Sequence, residues 1–80
     1  MQILGVSKQT LRVKFGLRIR QLREAAGYSQ EAFADECGYA RSYMSRIERG
    51  LGNPSLDAIE VLAKALHVAV GDLFTDPSKN

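Results

Sequence analysis

The densest chemistry in this chain lies in the segment RSYMSRIER, residues 41–49. Arg41, Ser42, Tyr43, Ser45, Arg46 and Arg49 supply three guanidinium groups and three hydroxyls there. If the segment is helical, Met44 and Ile47, three residues apart, turn inward, and the polar residues share the outward surface. A helix that only packed against a core would not need such a surface. A helix in the major groove of duplex DNA would. Arginine can donate two hydrogen bonds to guanine O6 and N7, and serine and tyrosine hydroxyls can reach bases or phosphates.

Other chemistry is sparse. Cys37 is the single cysteine, which excludes an internal disulfide and a Cys-based zinc site. It falls on the apolar side of its helix and reads as a buried, inert thiol. His67, the single histidine, lies between Leu66 and Val68 and reads as a helix-end residue rather than a ligand or base. No glycine-rich loop follows a strand, and no serine, histidine and acid set can be assembled. The expectation is a non-enzyme with no catalytic residue, no metal and no cofactor.

The elements that position the 41–49 segment are legible from periodicity. Phe15, Ile19, Leu22 and Ala26 form one stripe of a first helix, with Arg18, Arg20, Gln21 and Glu24 mostly outside it, and Gly27 stops it. Ser29 caps a second helix, Gln30 to Cys37, with Glu31 in its first turn and Ala32, Phe33, Ala34 and Cys37 as its apolar face. Gly38, Tyr39 and Ala40 form the turn into the third helix, at a length suited to two helices crossing steeply. Ala40 stands where a capping serine, threonine or aspartate belongs, forfeiting about 1 kcal/mol. Gly50 ends the third helix, and LGNPS is a loop. Ser55 caps a fourth helix, with Asp57 in its first turn, whose stripe is Leu56, Ile59, Leu62, Ala63 and Leu66. A last short helix covers Val70 to Phe74. The expected fold is all-α, a compact five-helix domain over residues 13–76, with an N-terminal arm at 1–12 and a polar tail at 77–80. Within the arm, Gln2–Val6 could be extended.

Eighty residues, 45% hydrophobic and 25% charged, suit one small soluble domain. No apolar run approaches a membrane span and no secretory signal opens the chain, so a cytoplasmic protein without a membrane partner is expected. The net charge of +2 is segregated. Residues 1–23 carry six bases (Lys8, Arg12, Lys14, Arg18, Arg20 and Arg23) and no acid, while residues 24–40 carry four acids and no base. Two basic blocks flanking an acidic helix either converge on a polyanion or form separate solvated faces.

The run FGLRIRQLREAAGYSQEAFADECGYARSYMSRIERGLGNPSLDAIEVLAKAL resembles the lambda-repressor/Cro-type helix-turn-helix family, also called the xenobiotic-response-element type. The resemblance spans residues 15–74. Its RSYMSRIERG and NPSL segments are especially similar to controller proteins of restriction–modification systems. It implies that Gln30 binds backbone phosphate and braces the recognition helix, and that Arg41, Ser42 and Arg46 face base edges. Tyr43 would touch base methyls or phosphate, or pack between helices. Ser45 and Asn53 would contact phosphates. Arg49 would contact phosphate or remain a solvated helix-end charge. Arg23 and Glu48 fill the positions of a structural ion pair that pins the third helix to the first. The N-terminal arm would follow the DNA backbone or enter a minor groove, or remain a disordered leader.

One short recognition helix reads only a few base pairs, so two copies are expected on a pseudo-palindromic operator, with half-sites about 34–36 Å apart. Val68, Val70, Leu73 and Phe74, with the outer face of the fourth helix, are the expected dimer interface; otherwise they close the monomer core. Double-stranded DNA and a second copy are the expected partners, and no small-molecule ligand is expected. The competing reading is a protein-interaction module, such as an antitoxin that sequesters a protein partner.

Overall fold

The computed structural model describes residues 10–77; the possible extension at Gln2–Val6 and residues 78–80 of the tail lie outside them. Four α-helices follow one another: α1 (Leu11–Ala25), α2 (Gln30–Cys37), α3 (Arg41–Glu48) and α4 (Leu56–Leu66). Local chemistry starts three of them. Thr10 Oγ1 accepts from the Val13 amide at 3.3 Å, Ser29 Oγ from Ala32 at 3.0 Å and Ser55 Oγ from Ala58 at 3.1 Å. Thr10 thus opens α1 at Leu11, so helix begins two residues inside the stretch expected to be arm.

The fifth expected helix is instead a 3-10 turn, Val70–Phe74. Short connecting turns of this kind commonly take the tighter i-to-i+3 form, and this one follows an extended Ala69. The Ala69 amide donates to Asp72 Oδ2 at 3.1 Å, which closes the turn from its start.

Phe33, Ile19, Met44, Ile47, Leu62 and Leu73 are the largest fully buried side chains, drawn from all four helices and the 3-10 turn. Leu73 therefore belongs to the core, which corrects its assignment to a dimer interface. The tight turn aims it between α1 and α4. Val68 is half-buried against the core. Val70 and Phe74 remain exposed, at 42% and 45%, with the Phe74 ring 5.2 Å from that of Phe15.

Four positions depart from the expected stripes, and Ala32 of α2 is one of them, exposed while Phe33 and Ala34 fill the core. Leu56 is 82% exposed, because the first residue of α4 lies beyond the packed face. Ala26 is exposed because α1 has already ended there. Arg18, placed outside the stripe, is buried. Its Nε donates to the Asp72 carbonyl at 2.8 Å and its Nη1 to Gln21 Oε1 at 2.7 Å. Gln21 Nε2 in turn donates to the Pro77 carbonyl at 3.2 Å. Burial of the guanidinium is offset by its two hydrogen bonds, through Nε and Nη1. Here they tie the C-terminal turn to α1.

Ala40 makes no side-chain cap bond, although its backbone (φ −68°, ψ 146°) has the extended form that a capping residue adopts. The Tyr39 and Tyr43 rings, 4.9 Å apart and edge to face, hold the entry to α3 instead. Ala40→Ser is therefore expected to add about 1 kcal/mol and to raise Tm by about 4–8 °C in a thermal melt. An unchanged Tm would show that the new hydroxyl does not reach the amides at the start of α3.

Candidate nucleic-acid interface

The turn between α2 and α3 is set by glycine. Gly38 lies at φ +79°, in the left-handed region. The next amide, of Tyr39, donates back to the Ala34 carbonyl at 2.9 Å. Phe33 and Ala34 from α2 and Met44 and Ile47 from α3 are all buried. The two helices thus share one core, and the polar side of α3 faces outward.

On that side Arg41, Ser42, Arg46 and Arg49 are exposed, and Tyr43 and Ser45 are half-buried. The Arg46 guanidinium turns along the helix end, where Nη2 donates to the Leu51 carbonyl at 3.2 Å. This contact links the side chain to the following loop and leaves its other donors for a ligand. Arg49 Nε donates to Ser45 Oγ at 3.3 Å. Tyr43 packs against the core and Tyr39. Asn53 is exposed in the loop after α3. Gly52 is buried in the same loop, where an added Cβ would lie 3.1 Å from Ile47 Cγ1.

A polar bolt fixes α3 from behind. Arg23 Nε and Nη2 donate to Glu48 Oε2 and Oε1 at 2.6 and 3.0 Å, and Arg23 Nη1 donates to the Tyr28 carbonyl at 2.9 Å. Both ion-pair side chains are buried, at 9% and 4% exposure. The hydrogen bond to Glu48 raises the Arg23 pKa above the usual arginine value, against an opposing effect of burial. Gln30 Nε2 donates to Glu48 Oε1 at 3.1 Å. One carboxylate from α3 therefore collects donors from α1 and from the first residue of α2.

Elsewhere, Cys37 is half-buried rather than buried, and its partial burial, with Glu36 beside it, pushes the thiol up to about 11, which keeps it protonated at neutral pH. His67 ends α4 in the left-handed conformation, φ +59°. Among the described residues no group of three or more His, Cys, Asp or Glu side chains could hold a metal ion, and no helix is long and apolar enough to cross a membrane.

A family model described as a helix-turn-helix domain matches residues 14–74. The chain belongs to the helix-turn-helix family. This helix-turn-helix protein is 48% identical over 65 residues to the control protein C.BamHI of Bacillus amyloliquefaciens, with 80% of each chain covered. It is 42% identical over 62 residues to the transcriptional regulator SinR of Bacillus subtilis, covering 76% of this chain and 56% of SinR. Among solved structures, the restriction–modification controller C.AhdI of Aeromonas hydrophila superposes with a TM-score of 0.75 at 50% identity, over 78% of this chain and 94% of that one. SinR in complex with DNA superposes with a TM-score of 0.70 at 43% identity, over 74% of this chain and 95% of that one.

Two structural residues of this helix-turn-helix domain escaped the reading of motifs. Gly16 sits under the carbonyls of Ile47 and Glu48, at the end of α3. A glycine inside an otherwise good helical run was its available signal. Arg18 had none, since an arginine outside the apolar stripe normally reads as solvated.

Proposed function

We propose that this protein regulates transcription by binding duplex DNA as a homodimer on a pseudo-palindromic operator, in the manner of a restriction–modification controller. One observation carries the reading. The face of α3 bearing Arg41, Ser42 and Arg46 is exposed, while its opposite face is buried and its end is bolted by Arg23 and Gln30. A reading head must be both open and rigid, since base discrimination needs hydrogen bonds of fixed direction. The similarity to C.BamHI, to C.AhdI and to SinR, which is solved with DNA, supports the same conclusion.

In this reading Arg41, Ser42 and Arg46 meet base edges. Tyr43 stiffens the start of the helix and presents its free edge to the DNA. Ser45, Arg49 and Asn53 meet backbone phosphates. Gln30 braces Glu48 and offers its remaining polar edge to a phosphate beside the start of α2. Val70 and Phe74, with half-buried Val68 and the outer face of α4, meet the second copy. Their exposed apolar surface is what a partner would cover.

The deciding experiment is selection of bound duplexes from a random pool at about 0.15 M salt. Enrichment of a palindrome with half-sites about one turn, 34–36 Å, apart supports a dimeric sequence reader. A pool that stays random rejects it in favour of a protein-partner role. On the enriched duplex, Arg46→Ala is expected to cost about 1–3 kcal/mol and to relax base preference at one position of each half-site. A loss equal across all sequences, with a shallower salt dependence, would reassign Arg46 to phosphate.

A further inference from the structure

The six basic residues of positions 1–23 are not one basic face. Lys8 lies outside the described residues. Arg18 and Arg23 are buried, with donors committed inside the protein. Arg20 Nε is paired with Glu24 Oε2 at 3.2 Å. Lys14 borders a cleft that also includes Asp76 and Thr75. Arg12 differs from all of these. It is exposed, makes no ion pair among the described residues, and borders a second cleft together with Thr10, Val13, Gly50 and Asn53.

That cleft has a fixed floor. Gly50, at φ +77°, lies so close to α1 that an added Cβ would come 2.8 Å from Val13 Cγ2 and 2.9 Å from its Cα. One turn further on, Gly16 meets the carbonyls that end α3. The first turns of α1 are therefore registered against the end of α3 and its loop. The backbone that carries Arg12 is thereby fixed against the loop that carries Asn53, and both residues line the cleft. The described residues lining the cleft include no carboxylate. The chemistry on offer is a guanidinium and a carboxamide across a shallow, acid-free cleft, which suits one phosphate of a nucleic-acid backbone.

We infer that Arg12 is a further DNA-binding residue, gripping with Asn53 a backbone phosphate just beyond the end of the recognition helix. This rests on the reading of the chain as a duplex-DNA binder. The contact adds affinity and fixes the docking of α3 without contributing to base choice. It also extends the interface from α3 to α1, so that the phosphate is held by the two elements whose packing sets the angle of the reading head.

The test is a salt titration of affinity for the selected duplex, comparing the full chain with Arg12→Gln and Lys14→Gln. Both variants remove one positive charge from the exposed start of α1, and circular dichroism confirms that both fold. The expected result for Arg12→Gln is a Kd raised about three- to tenfold near 0.15 M salt. The log–log salt slope becomes shallower by about one per bound chain, and the base preferences are unchanged. Lys14→Gln should keep the parental slope. If Arg12→Gln keeps the parental slope and affinity, or if the two variants change alike, the inference is overturned. A change in base preference with Arg12→Gln would overturn it too. If the parental chain binds no duplex at any salt, the DNA reading itself fails, a result distinguishable from all of these.

Discussion

Replacing Arg23 with alanine is expected to destabilise the fold by about 3–5 kcal/mol and to lower Tm by about 15–30 °C. The size follows from what is left behind. Glu48 keeps only 4% of its side-chain surface exposed, and it would lose two charge-assisted hydrogen bonds at once. Gln30, at 3.1 Å from Oε1, cannot neutralise the carboxylate. The Tyr28 carbonyl would also lose a donor. Removing both charges should be far milder. An Arg23→Met, Glu48→Met double variant is expected to recover most of the loss, because a well-packed apolar pair avoids the desolvation that the ion pair overcomes. The pH sign is also defined. A raised Arg23 pKa means that this group's contribution is fully present below the unfolded-state value and is lost only as pH rises through the folded one, far above neutrality. Thermal melts of the single and double variants test the scheme. If Arg23→Ala melts with the parent, the pair is not a structural bolt.

The bolt shows what was legible in the sequence and what was not. Arg23 and Glu48 were paired through the family resemblance, and their side chains meet bidentately. Ser29 and Ser55 cap helices because short hydroxyl side chains before apolar-periodic runs have few better uses. Met44 and Ile47 face inward as their spacing requires. The caps and the inward face of α3 are properties of one segment at a time, and the ion pair between segments was legible only through the resemblance. The departures arise where two segments meet. Arg18 is buried because the 3-10 turn folds back over it and presents the Asp72 carbonyl. Leu73 enters the core because that turn is too tight to carry a helical stripe. Leu56 continues the periodicity of α4 but extends past the end of the packed surface. Periodicity defines a face; only closure of the chain determines how far along the face there is something to pack against.

Gly16→Ala separates these two kinds of knowledge by the sign of its effect. Read from α1 alone, it should stabilise, since alanine exceeds glycine by about 1 kcal/mol in a helix interior. Read from the structure, it should destabilise by about 3 kcal/mol or more, beyond that gain. The added Cβ would fall inside contact distance of the Ile47 carbonyl oxygen, and 2.8 Å from that of Glu48. These are backbone atoms with no rotamer to turn away, so α1 and α3 must move apart. Overpacking against side chains typically costs about 1–3 kcal/mol, and a fixed backbone belongs at the upper end or beyond. Gly71→Ala is the control, because nothing lies within 4 Å of its added Cβ and it should melt close to the parent. Separation at Gly16 also strains the bolt, which joins the same two helices two turns later. In the Gly16→Ala background, Arg23→Ala should therefore cost measurably less than in the parent, a coupling of about 0.5–3 kcal/mol in a double-mutant cycle. Additive losses would mean that the glycine contact and the ion pair hold α3 independently. A Gly16→Ala protein more stable than its parent would show that the close approach of α1 to α3 is not what the fold depends on.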